Sequence, residues 1–146
     1  MSAPTAAAPQ GTHARGPFTD AELDYLHGER RLARLATVGP DGTPHVAPVG
    51  WSLDPERALV TIGGIAVAAT KKFRDIRRHP RAALVIDDVV EPWQPRGVEI
   101  RGRAEALESP EPAILIHAER IIGWGLDGGG IGQHHARDVA QPHPTR

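Results

Sequence analysis

Gly63-Gly64-Ile65-Ala66-Val67-Ala68-Ala69-Thr70-Lys71-Lys72-Phe73-Arg74-Asp75-Ile76-Arg77-Arg78-His79-Pro80 is the stretch around which the chain is organised. Its two glycines close the apolar, β-branched run from Ala58 to Ile62. They let the backbone turn sharply and pass close to a ligand. A helical pattern follows. Ala66, Ala69, Phe73 and Ile76 recur at intervals of three, four and three, so they share one face, predicted to enter the core. Thr70, Arg74 and Arg77 then line one flank and Lys72 the other, while Lys71, Asp75 and Arg78 are expected to point away. His79-Pro80 ends the helix, because the residue before a proline is biased out of the α region.

The charges on this helix separate into two groups. Arg77 and Arg78 in the last turn suit the negative end of the helix dipole. Lys71 and Lys72 lie near the positive end, where cations are disfavoured unless an anion is present. Loop amides, the Thr70 hydroxyl and two ammonium groups can converge on a phosphate; a solvated basic helix face is the alternative.

Outward from this stretch the pattern is mostly β. On the N-terminal side, Leu32–Val38 and Thr43–Trp51 flank Gly39-Pro40-Asp41-Gly42, a strong turn signal, and read as a hairpin. Thr43, His45, Ala47, Val49 and Trp51 share a face, while Pro44 and Pro48 remove ladder donors and imply an edge, a bulge or an interruption. Asp54-Pro55-Glu56-Arg57 is a turn before the strand 58–62. Still earlier, Thr19 and Glu22 have capping-box spacing, and Phe18 with Leu23 that of a hydrophobic staple, for a short helix ending by Gly28.

On the C-terminal side, Arg81 to Asp87 reads as a strand buried on both sides, ended by Asp87-Asp88. After the loop 91–97, Val98, Ile100, Gly102, Ala104 and Ala106 alternate with Glu99, Arg101, Arg103 and Glu105, a half-exposed antiparallel strand. One or two last strands surround His117-Ala118-Glu119. The expectation is a mainly β domain with short helices, six or so antiparallel strands rolled into a barrel, and helices at its openings. It spans residues 17–127, with a disordered tail at 1–16 and a flexible Gly-, His- and Pro-rich tail at 128–146. His134, His135 and His143 invite a metal reading, but without carboxylate or thiol partners they read as an ordinary polar tail.

Composition sets the remaining bounds. The 146 residues suit one domain, 40% of them hydrophobic but only 4% aromatic, so small aliphatic side chains must fill the core. A net charge of -1 hides six Lys or Arg and one Asp between residues 71 and 81. A basic spot on a near-neutral chain favours a small anion over nucleic acid, which calls for a wide basic stripe with stacking aromatics. There is no cysteine, no apolar run near the ~20 residues of a membrane span, and no signal-peptide pattern, so the expected location is cytoplasmic. No nucleophile elbow, zinc-protease motif, P-loop or Rossmann glycine pattern occurs, and no catalytic side chain is assigned. A bound cofactor is expected to supply the reactive atom.

The ordered series Leu35-Ala36-Thr37-Val38, Asp41-Gly42-Thr43-Pro44-His45-Val46, Pro48-Val49, Thr70-Lys71-Lys72-Phe73-Arg74-Asp75-Ile76-Arg77, Pro80-Arg81 and Arg96-Gly97 through Glu105 resembles the pyridoxamine 5'-phosphate oxidase-like split β-barrel superfamily. Within it, the series is most similar to the F420-dependent oxidoreductase branch. The resemblance implies a homodimer with F420, a deazaflavin bearing a phosphate and an acidic tail, in a groove at the subunit interface; relatives use FMN. It implies that His45, Val46, Ala47, Pro48 and Val49 border the ring, that Thr61, Ile62, Gly63 and Gly64 pass its linker, and that Thr70, Lys71 and Lys72 hold the phosphate. Arg74 and Arg77 assist or meet the acidic tail, and Trp124 flanks the cofactor or plugs the dimer interface. Gly123 stands where the family places a serine. The C-terminal Arg-x-His substrate motif of true pyridoxamine phosphate oxidases is missing, which argues against that vitamin activity. The implied function is hydride transfer from reduced F420 to an activated double bond of a small organic substrate. An FMN enzyme of the same fold and a non-catalytic F420 or flavin carrier are the alternatives.

Overall fold

The structure, a computed structural model, describes residues 16–127 and 133–140. Helix α1 (Asp20–His27) starts on the predicted capping box: the Glu22 amide donates to Thr19 Oγ1 (3.1 Å) and the Thr19 amide donates to Glu22 Oε1 (2.8 Å). Phe18 of the expected staple is buried and Leu23 packs on the core.

Strands β1 (Ala33–Val38) and β2 (Pro44–Val49) form the predicted hairpin. Its turn is closed by the Gly39 amide on Thr43 O (2.9 Å), with Gly42 at φ 84°, where glycine is favoured. Then come β3 (Ser52–Asp54), β4 (Leu59–Ile62), a single 3₁₀ turn (Val67–Ala69), helix α2 (Lys71–Arg78), β5 (Arg81–Val90), β6 (Gln94–Leu107), β7 (Ala113–Trp124) and β8 (His134–Asp138). Among the described residues these strands make one antiparallel sheet, ordered β2-β1-β5-β6-β7-β4-β3, with β8 also on β7.

The sheet is curled rather than flat. β4 pairs with β7 over 114–117 and β8 with the same strand over 120–124. Between the two, a bulge leaves Glu119 without a partner on β6, and its carbonyl accepts the Val139 amide (2.8 Å). Gly102 is required at this bulge, since a Cβ there would collide with the His117 carbonyl. The concave side holds Leu35, Val60, Ile62, Leu84, Ile86, Val98, Ile100, Ile114, Ile116 and Ile121. Phe73 and Ile76 of α2 join this core, and the helix packs on β1 and β6. The result is a mainly β half-barrel with two short helices; none of the described helices is long and apolar enough to cross a membrane.

Several expectations are corrected. Among the described residues, eight strands replace six or so. β3 was missed because it is only three residues long, and the bulge carries β7 unbroken through His117-Ala118-Glu119. β5 runs on to Val90 and buries only one face fully, through Leu84 and Ile86. The α2 pattern is interrupted upstream. Gly64 (φ 140°) and Ala66 (φ 57°) are left-handed, so Ala66 and Ala69 are exposed and Val67 is buried instead. Asp75, expected to point away, is 1% exposed because it faces Thr37 of β1. Within the predicted flexible tail 128–146, residues 134–138 form β8 instead. Arg137 of that strand donates to Glu22 Oε2 (2.7 Å), to Glu22 Oε1 and to Pro17 O (2.9 Å), an anchor that no hydrophobic pattern announces. Residues 1–15, 128–132 and 141–146, with His143, lie outside the described residues.

Candidate cofactor site

The β1–β2 hairpin and the start of α2 enclose a cavity of about 210 Å³. Its floor is two cross-strand pairs: Thr37 lies opposite His45 and Leu35 opposite Ala47. Val46 adds to the rim, and Lys71, Lys72 and Asp75 come from the helix. β2 is an edge strand, as its two prolines predict, and both prolines are exposed.

Asp75 organises the polar side of the cavity. Its Oδ1 accepts from Lys71 Nζ (3.0 Å) and its Oδ2 from Thr37 Oγ1 (3.0 Å). Burial pushes the Asp75 carboxyl up, but the hydrogen bonds from Lys71 and Thr37 and the Lys71 charge outweigh it and hold the group below the ordinary carboxylate value. Lys71 is therefore already engaged. Lys72, half-buried in the cavity wall, has no hydrogen-bond or ion-pair partner among the described residues. The His45 ring rests over the hairpin turn, where a Cβ on Gly39 would come within 2.9 Å of its Nε2.

Of the residues singled out in the sequence, the fold gathers His45, Val46, Ala47, Lys71 and Lys72 here. Pro48 and Val49 continue along β2 away from the cavity. Thr70 is the N-cap of α2: its hydroxyl accepts the Phe73 amide (3.4 Å) and donates to Val67 O (2.6 Å). Arg74 donates to Ala69 O (2.9 Å), and Arg77 pairs with Glu108 and lies over the Phe73 ring. Thr61 and Ile62 are paired within β4, Ile62 fully buried, and Gly63 and Gly64 lead into an exposed corner that carries Ile65.

Trp124 belongs to a different place. It stacks on His134 (5.7 Å between ring centroids) beside a second cavity of about 280 Å³ that is also lined by Glu22, Gly123 and His135. At Gly123 a Cβ would collide with Glu22 Oε2, so a serine there would require the carboxylate held by Arg137 to shift. No three His, Asp or Glu side chains converge as a metal site among the described residues.

Sequence reading missed Leu35, Thr37 and Asp75. Two signals for them existed: Leu35 and Thr37 are two apart on a strand facing His45, and Asp75 is four residues beyond Lys71, the spacing of a helical ion pair.

A third polar cluster fastens the far end of β5. Asp88 accepts from Arg96 Nε (2.8 Å) and from the Tyr25 hydroxyl (2.8 Å), and the Arg31 and Arg96 guanidiniums both contact the Tyr25 ring. The Arg96 hydrogen bond is the main reason the Asp88 carboxyl is held down at about 2, against the opposing effect of burial. Burial and the bond to Asp88 push the Tyr25 phenol well up.

A curled antiparallel half-barrel with a cationic helix beside its edge hairpin defines a split β-barrel protein. The sequence profile of the pyridoxamine 5'-phosphate oxidase family matches residues 19–140, and the chain belongs to that family. The chain is 38% identical over 134 residues to the 5a,11a-dehydrotetracycline/5a,11a-dehydrooxytetracycline reductase of Streptomyces rimosus, covering 84% of this chain and 94% of the relative. Its fold is similar to a conserved hypothetical protein of Mycobacterium tuberculosis, with a TM-score of 0.62 at 22% identity over 75% of this chain and 86% of the other. It is also similar to a solved F420 reductase, with a TM-score of 0.53 at 22% identity over 67% and 94%.

Proposed function

We propose that the chain is an F420-dependent oxidoreductase that reduces an activated double bond of a small organic substrate. The observation that carries this is Lys72, a cation unpaired among the described residues in the wall of a cavity formed by the β1–β2 hairpin and α2. A deazaflavin phosphate fits there: Lys72 meets the charge, and Val46 and Ala47 of the edge strand offer an apolar border to the ring. When bound, the reduced deazaflavin supplies the hydride. The chain's part is to hold the phosphate on Lys72, to position the ring along β2 and to keep the Lys71 ammonium neutralised by Asp75. The 38% identical relative, by its name a reductase of 5a,11a-dehydrotetracycline and 5a,11a-dehydrooxytetracycline, supports the reaction class. A second copy of the chain completing the groove is part of the proposal; Val46, 70% exposed at the cavity rim, is apolar surface such a copy would cover.

The test is titration of the purified chain with F420 and with FMN, for wild type and Lys72→Ala. A charged hydrogen bond to phosphate is worth ~1.5–3 kcal/mol, so the variant should bind about ten- to a hundredfold more weakly. Its melting temperature should be unchanged, because Lys72 has no partner to lose among the described residues. Equal affinity of the two proteins would refute the phosphate role. Tight binding with no oxidation of reduced F420 across a panel of enones would assign a carrier instead.

A further inference from the structure

We propose that Asp75 sets the charge preference of this cavity, tuning it to a phosphate with one negative charge, a diester, over the dianionic monoester. The inference rests on the cofactor reading above and adds a specificity residue to it.

The argument is a charge count. The cavity is lined by two ammonium groups, Lys71 and Lys72, and one carboxylate, Asp75. These sum to a single positive charge. The carboxylate is 1% exposed, so water and salt screen it poorly. Both of its oxygens are committed, one to Lys71 and one to Thr37. Lys71 cannot swing to a ligand without leaving a buried carboxylate unpaired, and breaking a buried pair is strongly unfavourable. Lys71 thus acts as the counterion of Asp75, and Lys72 alone is left for the ligand.

The neighbouring charges lie off the cavity lining: Arg74 donates to Ala69 O, Arg77 pairs with Glu108, and Asp41 accepts from the Thr43 amide and hydroxyl in the hairpin turn. His45, opposite Thr37, is the remaining titratable group on the lining. A phosphate diester carries one charge. A monoester carries about -1.5 to -2 near pH 7, its second pKa being about 6. The additional charge would face Asp75 with no further lysine or arginine on the lining to meet it.

The experiment measures dissociation constants of riboflavin, FMN and F420 for the full chain as wild type, Asp75→Asn, Lys71→Met and the Lys71→Met/Asp75→Asn double variant. F420 serves as the diester probe, its acidic tail being common to every variant so that only changes between variants are compared, with FMN as the monoester and riboflavin as the ring without phosphate. Even at the dielectric constant of bulk water, removing one unit charge about 4 Å from a phosphate dianion is expected to tighten FMN by at least about tenfold in Asp75→Asn. F420 should gain less and riboflavin nothing. Lys71→Met should shift FMN the opposite way, again more than F420. The double variant, with the net charge back at one, should return the FMN-to-F420 ratio to within about twofold of wild type, a rescue that a purely structural role for Asp75 would not produce. If Asp75→Asn does not fold, Lys71→Met and the double variant carry the same test. An unchanged ratio in the folded single variants, or no reversal in the double variant, overturns the inference while leaving the cofactor reading intact. Failure of wild type to bind FMN or F420 overturns both.

Discussion

Replacing Arg137 by Ala is expected to destabilise the fold by about 2–3 kcal/mol, although the residue lies on a short strand beyond the last long one. Glu22 is 2% exposed, yet it is the N3 residue of α1 and carries a carboxylate into the core. That carboxylate is met by the Thr19 amide at 2.8 Å and by Arg137, which donates to both of its oxygens and to Pro17 O. Removing one partner of a buried pair typically costs ~3–5 kcal/mol, because the other charge is left behind. Two features lower the figure here: the Thr19 amide remains, and the Arg137 side chain is 19% exposed, so water can reach the vacated site. At roughly 3 °C per kcal/mol for a domain of this size, thermal melting should drop by about 6–9 °C. Urea unfolding should show a lower midpoint with an unchanged slope. Changing Glu22 to Gln in the same protein removes the stranded charge and should restore about half of the loss. A melting temperature within 1 °C of wild type for Arg137→Ala, or no recovery in the double variant, would refute the reasoning.

Other outcomes follow from the same structure. The Asp88 carboxyl, held at about 2 by Arg96 against an ordinary 3.8, contributes stability that is present above about pH 4 and is lost as pH falls through about 2. Acid unfolding of Asp88→Asn should therefore be flatter than wild type in that window, as read by far-UV circular dichroism. Gly102→Ala places a methyl group into the His117 carbonyl at the β6–β7 bulge; about 2 kcal/mol or more should be lost in chemical denaturation. Lys71→Ala strands the buried Asp75 and should lower the melting temperature, whereas Lys72→Ala should not, which separates the two adjacent lysines by differential scanning calorimetry.

The elements that the sequence announces share one property: their signals are local. The Thr19–Glu22 box, the Gly39–Gly42 turn, the stop at His79-Pro80 and the alternation from Val98 to Ala104 all act between residues a few positions apart. Each appears in the structure where expected. The candidate site is legible only in half. His45 and Lys72 stand out by residue type and position, but Thr37 reads as an ordinary strand residue and Asp75 as a solvent-facing one.

What the sequence by itself determined is the two helices, the β1–β2 hairpin, the alternating strand β6, the edge character of β2 and the clustering of cation near one helix start. The tertiary structure alone decided three things. It turned Asp75 inward against a threonine 38 residues away, docked β8 through an ion pair to α1, and parted Trp124 from the lysine cavity. The reason is physical: a buried charge is tolerated only where partners meet it, and these partners come from strands and helices far apart in the chain, beyond the reach of any short-range pattern.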